Sequence, residues 1–130
     1  EEFDEAGKLE RSKYVINFLP NQSWHKEKGG TLRLGVYPCH IRKGTITHSA
    51  YGKNEIEERH RHRYEVNNDF REKLEKHGWI PSGINPKSNL VEIAEIEGHP
   101  FMVGSQFHPE FLSRPHRPHP LFASFIKATL

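Results

Sequence analysis

Short runs of apolar residues separated by polar turns occupy most of this chain, and the pattern predicts a protein rich in strands. The run "KYVINFL" (13–19) suits a buried strand. In "GTLRLGVYPCHI" (30–41), apolar and polar residues alternate from Thr31 to Val36, which is the period of a half-buried strand. The same criteria predict a strand in the second half of "EIEERHRHRYEVN", a turn with a short strand or loop in "RKGTITHSAYG", and strands in "WIPSGIN", "LVEIAEIEG" and "PFMVGSQF".

Two other segments have the residue spacing of helices. "NDFREKLEKHGW" (68–79) offers Asn68 or Asp69 as an N-cap and Gly78 as a C-terminal stop. "HPLFASFIKATL" (119–130) is amphipathic, with its apolar residues on one side. The strands and these two helices predict an α/β fold in which helices pack on a sheet. Two helices are too few to cover both faces of a sheet of roughly five or six strands, so we expect an exposed edge and face, or further chain that covers them.

Composition narrows the class of protein. With 130 residues, the chain is long enough for one compact domain. Its 19 basic and 17 acidic residues give a net charge of +2, so we expect neither nucleic acid nor a membrane surface as a partner. No apolar run approaches the roughly 18 residues that span a bilayer. Cys39 is the only cysteine, which excludes an internal disulfide and predicts a reducing, cytoplasmic location.

The stretch "GSQFHPEF" (104–111) ends an apolar run with a histidine and a carboxylate two residues apart. Pro109 favours an extended conformation at His108, and residues i and i+2 of an extended segment face the same side. His108 and Glu110 can then meet, with the carboxylate fixing the imidazole tautomer as in the base half of a nucleophilic triad. The alternative is a strand end at which both polar groups merely reach solvent.

The stretch "ERHRHRYEVN" (58–67) places three arginines at alternate positions of a strand. Arg59, Arg61 and Arg63 then share one face, and the two histidines and Tyr64 share the other. One of these guanidinium groups could bind a ligand carboxylate with two hydrogen bonds. Two alternatives are a nucleic-acid site that uses the whole basic row and a solvated face whose arginines pair with neighbouring glutamates.

Four histidines and the cysteine are candidate metal ligands. His60 and His62 have strand-like spacing, and His116 and His119 are three residues apart in a proline-rich stretch. A structural zinc site needs converging ligands, usually about four, and Cys39 is the only thiol available. We therefore expect no metal site. Because Cys39 lacks the flanking glycines of a strained nucleophile elbow, we predict that it is a structural, inert thiol.

Four motifs, in order along the chain, resemble the C-terminal glutamine amidotransferase domain of the CTP synthase family. They are "GGTLRLG" (29–35), "ERHRHRYEVN" (58–67), "VEI" (91–93) and "QFHPEFLSRP" (106–115). The opening "EEFD" and the closing "HPLFASFIKA" fit as well. The resemblance implies a three-layer, flavodoxin-like α/β fold of the class I glutamine amidotransferases, with residues 1–130 as its C-terminal half.

The resemblance also implies a function. CTP synthase makes CTP from UTP, with ATP and magnesium to activate the pyrimidine and glutamine as the nitrogen source, and its amidotransferase domain hydrolyses glutamine through a Cys-His-Glu triad. Carried over by motif, His108 is the base of the triad and Glu110 its orienting carboxylate. Arg63 binds the α-carboxylate of L-glutamine, and Glu2 in "EEFD" contacts the glutamine as well.

In the family, the nucleophile lies in a glycine-flanked cysteine elbow before "EFD". Neither this elbow, nor the oxyanion-hole glycines, nor the synthetase domain matches any part of this sequence. We therefore expect the 130-residue chain alone to lack glutaminase activity. No cofactor is expected in this segment, whereas the full-length enzyme is expected to use ATP, magnesium, UTP and the effector GTP and to form a homotetramer. The alternative is a non-catalytic, amidotransferase-like module with a role in assembly or regulation.

Overall fold

The computed structural model describes residues 14–18 and 33–130. Its strands are β1 (Ile16–Phe18), β2 (Arg33–Ile41), β3 (Glu55–His62), β4 (Tyr64–Val66), β5 (Trp79–Ile84), β6 (Val91–Ile96) and β7 (Val103–Ser105). Its helices are α1 (Ile46–Tyr51), α2 (Arg71–Glu75) and α3 (Pro120–Ala128), with single 3₁₀ turns at Asn68–Phe70 and Pro109–Phe111. Strands predominate, as the apolar runs predict, although most are shorter than those runs.

Five of the strands form one sheet in the order β3-β2-β5-β6-β7, and every neighbouring pair in it is antiparallel. Strands β1 and β4 form a separate antiparallel pair. The chain passes from the first sheet to the second at Arg63, which lies between the end of β3 and the start of β4. Arg59 and Arg61 occupy exposed positions of β3, whereas Arg63 lies at this bend. The prediction that all three arginines share one strand face is therefore wrong for Arg63.

Strand β2 shows the predicted alternation, but its polar side is the buried one. Leu34 and Val36 are 66% and 54% exposed, whereas Arg33 is only 6% exposed. The interior accepts Arg33 because its guanidinium pairs with two buried carboxylates, Glu65 and Glu92. The alternation of apolar and polar residues thus predicts where the strand lies. Which of its two sides is buried depends on carboxylates that are distant in sequence.

The apolar core lies between the main sheet and helices α1 and α3. It consists of Cys39, Ile41, Ile56, Ile93, Phe107 and Leu121, with Ala50, Tyr51 and Val103 packed against it. Gly83 of β5 faces this core, where an added Cβ atom would lie 2.8 Å from the Cys39 sulfur and 2.7 Å from a side-chain carbon of Ile93. A larger residue at Gly83 would therefore force the neighbouring strands apart.

The segment 42–52 contains helix α1, so the prediction of a short strand or loop there is wrong. Thr45 is the N-cap, with its hydroxyl accepting a hydrogen bond from a first-turn N–H, and Gly52 ends the helix at a φ of +66°. The buried carboxylate of Glu95 accepts hydrogen bonds from the first two N–H groups of the helix, at 2.8 and 3.0 Å. Favourable capping and a carboxylate at the helix N-terminus outweigh the strand preference of the β-branched residues.

Both predicted helices are present. The first is divided into the 3₁₀ turn and α2, and its N-cap is Asn67, one residue before the predicted candidates. In α3, Leu121 is buried, whereas apolar residues such as Phe122 and Phe125 are exposed. Part of the apolar side of α3 therefore faces away from the core formed by the described residues. Among those residues, none of the helices has the length and apolar character needed to cross a membrane.

Candidate active site

The stretch after β7 brings a histidine and a carboxylate together at the protein surface. His108 is extended (φ −105°, ψ 93°) and directly precedes the 3₁₀ turn Pro109–Phe111. The turn folds the chain back, so that Glu110 Oε1 lies 2.7 Å from His108 Nδ1. We expected this contact from two extended residues, whereas the structure forms it with one extended residue and a turn. The side chains of His108 and Glu110 remain 39% and 55% exposed, so a substrate can reach them.

This contact fixes the tautomer of the neutral imidazole. An ionised carboxylate only accepts hydrogen bonds, so in the neutral ring Nδ1 of His108 carries the proton and Nε2 keeps its lone pair. The hydrogen bond from His108 lowers the pKa of Glu110, which keeps the carboxylate ionised. Phe111 stacks on the imidazole, with ring centroids 4.9 Å apart and planes 18° apart. The arrangement has the chemistry of a general base that is oriented through one ring nitrogen and accepts a proton on the other.

Arg63 is exposed and lies at the end of β3, the strand that runs beside the His108 segment. The backbone N–H of His108 donates to the carbonyl oxygen of Arg59 in β3 at 3.0 Å. The two motifs that supply the predicted base and the predicted carboxylate ligand are therefore neighbours in space. Glu2, the other predicted glutamine contact, lies outside the described residues.

A cluster of charged and titratable residues lies in the interior beside these motifs, made up of Arg33, His60, His62, Glu65 and Glu92. Arg33 Nη1 donates to Glu65 at 3.0 Å and Nη2 donates to Glu92 at 2.6 Å. Burial raises the pKa of Glu65 to about 7 and also raises that of Glu92, although Arg33 opposes both shifts. Through Arg33, the cluster connects β4, which follows Arg63, to β6 of the main sheet.

The two histidines of this cluster form a directed chain of hydrogen bonds. His62 Nδ1 lies 2.9 Å from the carbonyl oxygen of Tyr64, which only accepts, so this nitrogen carries the proton. His62 Nε2 then accepts a hydrogen bond from His60 Nδ1 at 2.9 Å. Burial lowers the pKa of both rings, to about 3 for His60, so both are neutral. With Glu92, the rings could geometrically surround a cation, but their facing nitrogens already share a proton.

Cys39, the only cysteine of the chain, lies in the apolar core and has no exposed surface. Burial raises the pKa of its thiol to about 12, and the nearby carboxylates add to the shift. The thiol therefore stays protonated at neutral pH and out of reach of a substrate. This is the inert thiol that the missing glycine elbow predicts.

A second histidine–carboxylate contact was not predicted from the sequence. The sequence offers His119 as a candidate metal ligand, and Glu58 as one of the glutamates that could pair with the arginines of β3 on a solvated face. Both are buried, and His119 Nε2 lies 2.9 Å from Glu58 Oε1, the same oxygen to which Tyr51 Oη donates at 2.7 Å. One feature of the sequence could have indicated this contact. Glu58 lies two residues from both Ile56 and His60, so the three side chains share the buried side of β3.

Comparison with known proteins agrees with this geometry. The family model described as "Glutamine amidotransferase class-I" matches residues 6–128, almost the whole chain. The chain belongs to this family. Among curated proteins, it is similar to the CTP synthase of Dehalococcoides mccartyi, with 62% identity over 114 residues, which are 88% of this chain and 21% of that protein. The CTP synthase of Staphylococcus aureus is 59% identical over 116 residues, covering 89% of this chain and 22% of the relative.

This amidotransferase chain thus spans about a fifth of the length of the curated relatives it matches. Among solved structures, the glutaminase domain of Trypanosoma brucei CTPS with bound acivicin matches it with a TM-score of 0.79 and 35% identity. The match covers 88% of this chain and 45% of that one. The predicted α/β fold of the class I amidotransferases and the resemblance to CTP synthases are therefore confirmed.

Proposed function

We propose that this chain is part of a CTP synthase, in which it supplies the base and the orienting carboxylate of the glutaminase triad. The observation that carries the proposal is the contact between His108 Nδ1 and Glu110 Oε1, formed by a motif of a class I amidotransferase chain. The high identity to two CTP synthases supports this member of the family over other amidotransferases.

In this proposal, Nε2 of His108 removes the proton from a cysteine thiol, and the thiolate attacks the side-chain amide carbon of glutamine. Glu110 stabilises the resulting imidazolium, which returns its proton to the leaving ammonia as the cysteine thioester forms. The same imidazole then deprotonates a water molecule that hydrolyses the thioester and releases glutamate. Because Cys39 is buried and protonated, we assign the nucleophile to a part of the full-length enzyme that these 130 residues do not include.

We assign recognition of the glutamine α-carboxylate to Arg63, whose planar guanidinium can hold a carboxylate with two hydrogen bonds. Its exposed position at the bend between β3 and β4, beside the motif that carries His108, supports this role. Glu2 is proposed to contact the substrate as well, on the basis of the "EEFD" motif alone.

The remaining chemistry of a CTP synthase is assigned to a synthetase domain. There, ATP and magnesium would activate UTP for attack by ammonia, and GTP would act as an effector. The described residues do not fit magnesium, because their one cation-sized cluster offers two imidazoles with a single carboxylate, whereas Mg²⁺ prefers oxygen ligands. Assembly of the full-length enzyme as a homotetramer and its cytoplasmic location stay predictions.

The proposal is tested by comparing two nitrogen sources in the full-length enzyme that carries this chain. His108→Ala should reduce glutamine-dependent CTP formation by roughly 10³–10⁴-fold, because the thiol loses its base. CTP formation from added ammonium should stay at the wild-type rate, because free ammonia bypasses the amidotransferase. His116→Ala, at an exposed histidine eight residues away, is the matched control and should change neither rate.

Two results would count against this assignment. Glutamine-dependent synthesis that survives His108→Ala would favour the non-catalytic amidotransferase-like module. Glutaminase activity of the 130-residue chain by itself, lost on Cys39→Ala, would transfer the nucleophile's role to Cys39. The chain alone is expected to be inactive, since the one thiol it contains is buried in the core.

A further inference from the structure

The segment 107–119 carries His108 and is attached to β3 near both of its ends. Near its start, the backbone N–H of His108 donates to the carbonyl oxygen of Arg59 at 3.0 Å. At its end, His119 Nε2 lies 2.9 Å from Oε1 of Glu58, the preceding residue of β3. Two adjacent residues of one strand therefore hold His108 and His119, which lie eleven residues apart in sequence.

The attachment at His119 is buried, and its hydrogen bonds have a defined direction. The N–H of Leu121 donates to His119 Nδ1 at 3.3 Å, so Nδ1 is the unprotonated nitrogen and Nε2–H donates to Glu58. Tyr51 Oη donates to the same oxygen of Glu58 at 2.7 Å. The side chains of His119 and Glu58 are only 2% and 3% exposed. Loss of either partner would leave a buried polar group without its hydrogen bond, so the contact holds His119 in position.

Contacts within the segment continue from His119 towards His108. The N–H of His119 donates to Ser113 Oγ at 3.1 Å, and the backbones of Arg114 and Arg117 pair with each other at 3.0 and 3.1 Å. Arg114 Nη1 donates to the carbonyl oxygen of Phe111 at 3.2 Å, and the Phe111 ring stacks on the imidazole of His108. A displacement of His119 would thus be transmitted through these contacts to Phe111 and to the imidazole of His108.

We propose that Glu58 and His119 are positioning residues for glutamine hydrolysis, which act by holding the 107–119 segment so that His108 points at the reacting thiol. This inference rests on the proposed function of His108. Neither residue needs to touch glutamine, because the effect passes through Ser113 and Phe111. Reaction rates fall steeply when a reacting group moves by about 1 Å, so the loss should appear in kcat rather than in substrate binding.

The test uses steady-state kinetics of the full-length enzyme with glutamine and with ammonium. His119→Ala should lower kcat for the glutamine-dependent reaction by about 10- to 100-fold, with KM for glutamine and the ammonium-dependent rate unchanged. His119→Gln should restore most of kcat, because its amide N–H can reach Glu58 from a similar position. His116→Ala, in the exposed turn of the same segment, is the control and should behave as wild type.

Ser113→Ala gives a second test in case His119→Ala fails to fold. It removes only the hydrogen bond from the N–H of His119, and it should lower kcat several-fold at constant KM. The proposal is wrong if these variants raise KM at constant kcat, if the ammonium-dependent rate falls in parallel, or if His119→Gln is as impaired as His119→Ala. Failure of His108→Ala to reduce glutamine use would instead refute the proposed function itself.

Discussion

Two histidine–carboxylate contacts lie at opposite ends of the 107–119 segment, and they differ chiefly in their access to water. His108 and Glu110 are 39% and 55% exposed at a separation of 2.7 Å. His119 and Glu58 are 2% and 3% exposed at 2.9 Å. The same combination of residue types, a histidine and a glutamate at nearly the same distance, therefore occurs once in contact with solvent and once in the protein interior.

Because of this difference in exposure, the two pairs are suited to different roles, the exposed pair to catalysis and the buried pair to stability. An exposed pair is screened by water and adds little to stability. Its imidazole, however, can contact a substrate and exchange a proton with it. A buried pair has no access to a substrate, but removing one partner leaves the other with an unsatisfied polar group. We therefore expect substitutions at the first pair to change activity without changing stability, and those at the second pair to affect both.

The largest expected effect is on activity at the exposed pair. Glu110→Ala removes the carboxylate that orients the imidazole and stabilises its cation, so kcat for glutamine should fall by roughly 10³–10⁴-fold. The thermal unfolding midpoint should stay at the wild-type value, because both partners face water. Steady-state kinetics and calorimetry of the same full-length preparation measure the two effects. A lowered unfolding midpoint together with near-normal kcat would reverse the roles of the two pairs.

The exposed pair could be predicted from the sequence because its determinants are local. His108 and Glu110 are two residues apart, and Pro109 both extends the first and starts the turn that returns the second. Most strands could be predicted for the same reason, because runs of apolar residues and their alternation with polar ones are local features of the sequence. When the residues that contact one another are also close in sequence, their spacing is enough to predict the contact.

The buried pair could not be predicted, because its partners lie 61 residues apart and meet only after the sheet and α3 have packed. The same holds for Arg33, whose carboxylate partners lie 32 and 59 residues away and turn the polar side of β2 inward. Helix α1 was missed because Glu95, which binds its N-terminus, comes from β6. For Arg33 and for α1, a charge from a distant part of the chain opposes the local preference of the sequence.

The next largest effect is on stability at the buried pair. Glu58→Ala leaves the donors of His119 and Tyr51 without their acceptor, so we expect the free energy of unfolding to fall by about 3 kcal/mol. Hydrogen exchange of the β3 and α3 amides in the full-length enzyme measures this loss locally. Glu57→Ala, on the exposed side of the same strand, is the matched control and should leave exchange unchanged. Equal protection in the two variants would show that the buried pair adds no stability.

The smallest effect concerns a third histidine, which is buried as His119 is but has no carboxylate hydrogen bond. The nearest oxygen of Glu92 lies 3.6 Å from His60 Nδ1, and burial lowers the pKa of His60 from 6.5 to about 3. Above pH 6.5 the ring is neutral in both the folded and the unfolded state. As pH falls from 6.5 towards 3, only the unfolded state gains the proton, so stability is lost over this window, by roughly 2 kcal/mol at pH 5.

Replacing this histidine should remove the acid sensitivity. His60→Asn keeps a donor for His62 but does not titrate, so it should be less stable than the wild type at pH 7.5, with a deficit that narrows by about 2 kcal/mol at pH 5. Calorimetry at the two pH values measures the change. The wild-type protein, measured at the same two pH values, is the reference. A deficit of His60→Asn that stays the same at both pH values would mean that the folded protein protonates this ring as readily as the unfolded chain does, and that burial without a carboxylate partner does not keep it neutral.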